Sequence, residues 1–188
     1  LYAREKKRGG AWMDVCVGRT KKANGTIQLP VAYLTCNFNG PVGDNPALFT
    51  HNEVVTLFHE FGHGIHHMLS QINASSVACI NGVPWDAVEL PSQFLENWCW
   101  QPEALAFISG HFETGEPLPD SMLTKMLDAK NFQSAMQMLR QLEFSIFDFM
   151  MHASYQPNAA NNEQHIQTVL DKVRSQYAVV NTPDFNRF

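Results

Sequence analysis

The most regular hydrophobic pattern in the chain lies between residues 50 and 73. Apolar side chains recur there three or four positions apart, as on one face of an α-helix, at Val54, Leu57, Phe58, Phe61, Ile65 and Leu69. Thr50 and Glu53 have the spacing of a capping box, in which a hydroxyl and a carboxylate satisfy the first backbone N–H groups of a helix. The pattern therefore predicts a helix that begins at Thr50 and ends between residues 70 and 73.

Upstream of this helix the pattern is typical of β-strands. Residues 11–18 alternate apolar side chains with small or polar ones, and residues 27–38 are rich in β-branched and aromatic types around Pro30. Asn24 and Gly25 between them give a strong hairpin-turn signal, and Pro30 indicates an edge strand or the start of a strand. We expect the first 45 residues to form a small antiparallel sheet with loops, including a loop rich in glycine and proline before the helix.

Downstream of residue 73 the pattern is again helical. A second loop leads to Asp86 and Glu89, which have the spacing of another possible helix cap. Further helices are predicted over about residues 92–110, 119–129, 131–155 and 160–178. The predicted fold class is α+β, mainly α, with residues 1–45 as the sheet and residues 50–188 as the helical part of one partial domain.

Composition narrows the class of protein. The chain is 45% hydrophobic and 16% charged, as in globular domains, and its net charge of −5 comes without the basic stripe that nucleic-acid binding requires. No apolar stretch approaches the roughly 20 residues needed to span a bilayer. The four cysteines lack CxxC spacing, which favours buried free thiols in a reducing compartment, and hence the cytoplasm. Because neither end has a signal peptide or a polar tail, we expect a segment of a longer protein.

Residues 59–63 read HEFGH within the predicted helix. Histidines four positions apart lie on one face of a helix, so the imidazoles of His59 and His63 can bind a single ion. One Zn²⁺ per chain suits these ligands, and Glu60 beside it can take a proton from the water that the ion activates. Gly62 between the ligands permits close approach of another element. The alternative interpretation is two core histidines and a surface glutamate.

A third zinc ligand has to come from elsewhere, because the longer motif HExxHxxGxxH is broken at its glycine and its last histidine. Glu89 is the preferred candidate, since the predicted second helix can return antiparallel to the first and present this carboxylate. Asp86, Glu89 and Glu96 share one helical face if the helix survives Pro91, and Glu96 is the alternative ligand. The acid that does not bind the ion is expected to accept a hydrogen bond from a ligand histidine.

His66 and His67 also fall near the predicted metal face of the helix. Adding a third histidine to two imidazoles and a carboxylate would close the site and leave no position for water. We therefore expect both residues to support a ligand or to face the substrate, with plain packing as the alternative.

The segments HEFGH, GIHHML and WDAVELPSQFLENWCW resemble the thimet oligopeptidase, neurolysin and oligopeptidase A family of zinc metallopeptidases. LYAREKKRGGAWM and NFNGP also resemble this family, so the similarity covers nearly the whole chain. It is strongest to the bacterial oligopeptidase A branch, with dipeptidyl carboxypeptidase a near relative.

The resemblance implies a cytoplasmic gluzincin-type metalloendopeptidase that hydrolyses short peptides in a deep channel. The zinc ligands of the family match His59, His63 and Glu89, and its general base matches Glu60. The strand along which substrate backbone would lie matches four residues of the second predicted strand: Val31, Ala32, Tyr33 and Leu34. The remaining part of the catalytic domain is the other partner that the resemblance implies.

One departure from the family concerns the oxyanion of the tetrahedral intermediate. The family stabilises it with a glycine-rich, tyrosine-bearing segment downstream of this region, and we expect the chain to end before that segment. Tyr155 and Tyr177 lack its sequence context, and loss of one oxyanion donor typically costs about 10²–10³ in kcat. The alternative to an active oligopeptidase is therefore a non-catalytic zinc-binding fragment or structural domain. The choice between endopeptidase and dipeptidyl carboxypeptidase activity stays open.

Overall fold

A computed structural model of the chain describes residues 1–154 and 162–183. The chain divides into two compact units, Leu1–Leu123 and Thr124–Phe188. The structure is mainly helical with short antiparallel strand pairs, which confirms the predicted fold class at this level. Within the described ranges, no helix is long and apolar enough to cross a membrane.

The main strand pair of the first unit is β1 (Trp12–Val17) with β4 (Val31–Thr35), which run antiparallel. Met13 lies opposite Leu34, and the register shifts at Cys16, so that the bulged strand has one extra residue. Only one edge of β1 pairs with β4. Its other edge is therefore available to neighbouring elements.

The predicted turn at Gly25 joins two shorter strands, β2 (Thr20–Lys21) and β3 (Ile27–Gln28). Gly25 has a φ of +83°, which glycine adopts without the steric cost that a side chain brings. The strand predicted over residues 27–38 is not continuous: it separates into β3 and β4 on either side of Pro30. A proline has no N–H to donate to a strand ladder, which explains the interruption.

The helix predicted from the capping box is α1 (His51–Met68). The backbone N–H of Glu53 donates to the Thr50 hydroxyl at 3.3 Å, and the Glu53 carboxylate accepts from the Thr50 N–H at 2.8 Å. The helix ends slightly earlier than predicted. It packs against β1 and β4 and against α2, the next helix, with its glycines and histidines most deeply buried: Gly62, His63, Gly64 and His67, together with Glu60. Phe61 of the predicted apolar face is 45% exposed.

The second helix of the first unit, α2 (Leu90–Glu96), begins later than the predicted cap at Asp86. Glu89 occupies its N-cap position without a side-chain capping bond, and turns precede it, so Asp86 lies outside the helix. Pro91 stands in the first turn, where no N–H donor is required. The expectation that three acids share one helical face is therefore wrong for Asp86.

The helix predicted over residues 92–110 is broken in the structure. After α2 comes a 3-10 turn, Asn97–Trp100, and then a separate helix α3 (Pro102–Ile108). Gln101 between them is extended, with φ −89° and ψ 127°. Proline disfavours the helical conformation of the residue before it, so Pro102 both ends the first segment and starts the second.

Three longer helices follow, at bounds close to the predicted ones: α4 (Asp120–Lys130), α5 (Ser134–Ser154) and α6 (Asn162–Tyr177). α5 begins three residues later than predicted because Gln133 has a φ of +53°, which is incompatible with a right-handed helix. Tyr155, whose family role was not assigned, lies outside the described residues.

In the second unit, α5 packs against α6 around a buried ion-pair cluster. Glu143 is 3% exposed, and its two carboxylate oxygens lie 2.6 Å from Arg140 Nη1 and 3.0 Å from Arg174 Nε. Burial alone would raise the pKa of the Glu143 carboxyl. Hydrogen bonds and charge from the two guanidinium groups outweigh burial and leave this pKa below its ordinary value.

The cysteines of the chain are all free thiols, as their spacing predicted. Cys36, Cys79 and Cys99 are buried in the first unit, whereas Cys16 on β1 is exposed, contrary to the expectation that all four are buried. Burial raises the pKa of the Cys99 thiol to about 11, so this group stays protonated at neutral pH.

Candidate metal centre

The HEFGH segment of α1 faces the residue that immediately precedes α2. One carboxylate oxygen of Glu89, Oε2, lies 3.2 Å from Nε2 of His59 and 3.1 Å from Nε2 of His63. The three side chains form one cluster, and one potential ligand atom from each lies within 4.8 Å of the other two. The structure thus brings together the three residues that the sequence singled out as ligands.

These distances can be compared with those of a tetrahedral metal site. Two ligand atoms that each bind one zinc ion at 2.0–2.1 Å stand about 3.3 Å apart. The separations of 3.1 and 3.2 Å are close to that value. Two imidazole nitrogens and a carboxylate oxygen are also a donor set that zinc prefers, so the residues fit this ion.

Glu96, the last residue of α2, lies on the other side of the His59 ring from Glu89. Its Oε1 is 2.7 Å from Nδ1 of His59. A carboxylate at this position accepts a hydrogen bond from Nδ1–H. The lone pair of Nε2 is then free and is directed at Glu89 and the candidate metal position. Of the two acids left open by the sequence, Glu96 therefore occupies the hydrogen-bonding position and Glu89 the position between the imidazoles.

The start of α2 lies unusually close to the backbone of α1. A Cβ added at Gly62 would come within 2.6 Å of Ser92 Cα and 2.8 Å of the Pro91 carbonyl oxygen. Ser92 is completely buried, and its Oγ lies 2.8 Å from Oε2 and 2.9 Å from the backbone oxygen of Glu89. Gly62 thus permits the close approach that its place in the motif led us to expect.

Electrostatics favour the ionisation states that metal binding requires. Burial lowers the pKa of His63 despite the opposing effect of Glu89, which favours the neutral imidazole that binds metals. For Glu89, burial raises the pKa, but the Ser92 hydrogen bond and the two histidines outweigh burial and lower it overall. A carboxylate at Glu89 and a neutral imidazole at His63 can therefore coexist here at neutral pH.

Glu60 lies beside the cluster and is 6% exposed. Burial raises the pKa of its carboxyl above the ordinary value, with a further contribution from the negative charge of Glu89. The interaction with His59 and a hydrogen bond from the backbone N–H of Met13 act in the opposite direction and lower this pKa. Glu60 is thus a buried carboxyl held in place by a strand, with a raised proton affinity.

A cleft of about 490 Å³ opens over these residues. It is lined by Glu60 and the three clustered side chains, by β1 and the residue before it, and by the segment that leads to α2: Ala11, Trp12, Met13, His59, Glu60, His63, Ile80, Asn81, Val83, Trp85, Val88 and Glu89. Because the N–H of Met13 points to Glu60, the edge of β1 that does not pair with β4 faces the cleft.

The predicted substrate strand is not among the residues that line the cleft. Among the described residues, the lining includes Ala11, Trp12 and Met13, but none of the four residues singled out in β4 (Val31, Ala32, Tyr33 and Leu34). β4 pairs with the other edge of β1. The strand that lines the cleft is therefore β1, and the role of the four β4 residues in substrate binding stays a prediction.

The remaining candidates lie around the cluster rather than in it. Asp86 is exposed in the turn before α2 and is not part of the cluster. His67 is completely buried, with Nε2 3.0 Å from the backbone oxygen of Val17, so it ties α1 to β1. His66 is half-buried and adds a small repulsive effect that lowers the pKa of His63.

Comparison with known proteins decides the family. The chain matches the profile described as Peptidase family M3 over residues 1–187. The chain belongs to this family. It is 67% identical over 187 residues to oligopeptidase A of Haemophilus influenzae and 64% identical over 188 residues to oligopeptidase A of Escherichia coli. Both alignments cover 100% of this chain and 27% of the relative.

A more distant relative is dipeptidyl carboxypeptidase of Escherichia coli, 36% identical over 152 residues, which are 81% of this chain and 22% of that protein. The family assignment confirms the resemblance inferred from HEFGH and WDAVELPSQFLENWCW. Membership of a metallopeptidase family implies a metal cofactor, and the cluster of His59, His63 and Glu89 could hold it.

The sequence-based predictions did not include two features of the site. Ser92 follows Glu89 by three residues, the spacing at which side chains meet across one helical turn, so this contact could have been anticipated. Which edge of β1 faces the cleft could not have been anticipated, because this depends on the pairing of β1 with a strand that is remote in sequence.

Proposed function

We propose that this chain forms the zinc-binding part of an oligopeptidase, a metallopeptidase that hydrolyses short peptides. In this proposal His59, His63 and Glu89 hold one Zn²⁺ in a zincin-like arrangement, and Glu60 is the general base. The observation that carries the proposal is the position of Glu89 Oε2, 3.2 Å from Nε2 of His59 and 3.1 Å from Nε2 of His63.

The chemistry divides between the ion and the chain. A zinc ion supplies Lewis acidity, which lowers the pKa of water to about 7 and polarises the carbonyl of the scissile peptide bond. Glu60 takes a proton from the attacking water and delivers it to the nitrogen of the leaving amine as the C–N bond breaks. Glu60 is buried beside the proposed metal position, where its carboxyl can reach both the attacking water and the leaving amine.

We further propose that substrate backbone adds to the free edge of β1, in place of β4. The support is that Ala11, Trp12 and Met13 line the cleft beside Glu60. A peptide that extends a sheet is bound through main-chain hydrogen bonds, so many side chains are tolerated. This binding mode is suited to a peptidase that accepts varied short peptides.

The substrate class rests on the relatives. Proteins named oligopeptidase A share 64–67% identity with the whole chain, which favours short peptides as substrates. The free thiols of the chain favour a reducing compartment, and we propose the cytoplasm. The similarity to a dipeptidyl carboxypeptidase leaves two cleavage modes to be tested: internal cleavage and removal of C-terminal dipeptides. Product analysis with peptides blocked at the C-terminus separates them.

Replacing the proposed base tests the mechanism. In the full-length peptidase, Glu60→Gln should abolish cleavage of an internally quenched fluorescent peptide while metal analysis still finds about one zinc per chain. Glu53→Gln is a matched control, because Glu53 lies two turns earlier on α1 and glutamine can still serve in the capping box. If Glu60→Gln cleaves the peptide at the wild-type rate, Glu60 is not the base.

A second candidate function is a zinc-binding part that is inactive alone. The observation that favours it is that the chain spans 27% of the length of its oligopeptidase A relatives. Assay of this 188-residue chain with added zinc distinguishes the two. Peptide cleavage that a chelator abolishes would exclude the inactive form, whereas zinc binding without cleavage would support it.

A further inference from the structure

Ser92 has a position that neither the motif nor the family comparison explains. Its side chain is completely buried, and its hydroxyl lies 2.8 Å from Oε2 of Glu89, the same oxygen that faces the two imidazoles. The hydroxyl has one proton, and the ionised oxygen is the stronger of its two nearby acceptors. Ser92 therefore donates to the atom that the proposed function assigns to zinc.

Gly62 determines how close Ser92 lies to α1. The positions of Ser92 Cα and Ser92 N, 2.6 and 3.0 Å from an added Cβ, leave no room for any side chain at residue 62. The contact is between two backbones, so it can relax only by moving the first turn of α2. Gly62 and Ser92 together thus set the distance between the helix that bears the histidines and the carboxylate that faces them.

Glu89 needs such support because its side chain is 49% exposed, whereas that of His63 is 10% exposed. A half-exposed carboxylate at the start of a helix has other rotamers available in which water satisfies its oxygens. Each of these rotamers would take Oε2 away from the imidazoles. A buried hydroxyl that donates to the carboxylate when the carboxylate is turned inward favours the binding rotamer before the metal arrives.

We propose that Ser92 is a positioning residue that acts through Glu89: its hydroxyl, seated against Gly62, holds the carboxylate in the metal-binding rotamer and thereby raises the affinity for zinc. This inference rests on the proposed function, because it takes Glu89 as a zinc ligand. Residues that orient a metal ligand typically contribute 10–100-fold to metal affinity. Ser92→Ala should therefore weaken zinc binding about 10–100-fold.

A purely structural role makes a different prediction. The Ser92 hydroxyl is also 2.9 Å from the backbone oxygen of Glu89, three residues earlier, a contact that serine makes in many helices. If that contact were its only role, Ser92→Ala would lower the stability of the metal-free protein and leave zinc affinity unchanged. Ser109→Ala is the matched control, since Ser109 donates to the Leu105 carbonyl at the end of α3.

The first experiment measures zinc dissociation constants by competition with a chromophoric chelator, together with thermal unfolding of the metal-free proteins. Ser92→Ala should lose zinc affinity, and Ser109→Ala should retain it, even if both unfold at lower temperature. Ser92→Thr keeps the hydroxyl and should bind zinc more tightly than Ser92→Ala, although its extra methyl occupies a buried position. Wild-type zinc affinity in Ser92→Ala would overturn the proposal.

The second experiment is a double-mutant cycle. If Ser92 acts through Glu89, then adding Ser92→Ala to Glu89→Ala should not weaken zinc binding further. An equal loss in both backgrounds would show that Ser92 does not act through this carboxylate, and would overturn the inference while leaving Glu89 as a ligand. Unchanged zinc affinity in Glu89→Ala alone would instead refute the ligand set of the proposed function.

Discussion

Adding one methyl group at residue 62 should disrupt the candidate metal centre although residue 62 supplies no ligand atom. In Gly62→Ala the new Cβ would lie 2.6 Å from Ser92 Cα. This separation is about 0.9 Å short of the ~3.5 Å at which carbon atoms make favourable contact. The atoms it meets are backbone, so the first turn of α2 has to move, and Glu89 has to move with it.

The expected magnitudes follow from that displacement. Metal sites tolerate ligand displacements of about 0.2 Å, so a shift several times larger should weaken zinc binding by more than tenfold. Overpacking of this kind costs about 1–3 kcal/mol, and the gain of about 1 kcal/mol in helix propensity from Gly→Ala offsets part of it. We expect a net loss of up to about 2 kcal/mol in the free energy of unfolding of the metal-free protein.

Gly64→Ala is the control, because it makes the same change two residues later on the same helix. A Cβ at Gly64 would meet the Cδ2 atom of Leu34 at 3.4 Å, the end of a flexible side chain. This variant should keep wild-type zinc affinity and gain up to about 1 kcal/mol in stability from helix propensity. The assay is chelator competition for zinc affinity and urea unfolding for stability. Equal zinc affinity in Gly62→Ala and Gly64→Ala would refute the argument that backbone contact at Gly62 sets the position of Glu89.

Two further predictions concern the carboxylates of Glu96 and Glu143. Glu96→Ala removes the acceptor 2.7 Å from His59 Nδ1 and should weaken zinc binding about 10–100-fold in the same chelator assay, with wild-type affinity counting against the pairing. In the second unit, Glu143→Gln should cost about 3 kcal/mol of unfolding free energy at pH 7, the low end for a broken buried ion pair, because Arg140 is partly exposed. The folded-state pKa of Glu143 is lowered from 4.5, so its contribution is complete above pH 4.5 and is lost as pH falls through the folded-state value. Urea unfolding of wild type and Glu143→Gln between pH 7 and pH 3 should show the stability difference shrinking towards low pH, and a difference that grows there would contradict this assignment.

The parts of the structure that sequence predicted best depend on local spacing. α1 follows from the capping box of Thr50 and Glu53 and from the helical recurrence of apolar residues, all within one segment. The four-residue spacing of His59 and His63 fixes their common face in the same way. Local rules sufficed there because the interactions concerned span no more than one helical turn.

Local patterns were insufficient where a single residue or a remote pairing decided the outcome. Pro102 divides a segment whose apolar pattern alone is compatible with one continuous helix. The free edge of β1 faces the cleft because β4 occupies the other edge, and strand pairing across that distance leaves no local signal. The choice between Glu89 and Glu96 likewise needed the crossing of two helices, since the two acids are seven residues, about two helical turns, apart.

The hydrogen bond from Met13 to Glu60 has a consequence for how a peptide could bind along β1. A strand that adds to β1 would normally receive an N–H at every second residue, but the amide of Met13 already donates to the carboxylate. An added peptide would therefore have one carbonyl without a donor from the strand, directly beside Glu60. Such a gap in the ladder would align the peptide by its backbone. It would thereby select which peptide bond is presented for cleavage, whatever the side chains of the peptide are.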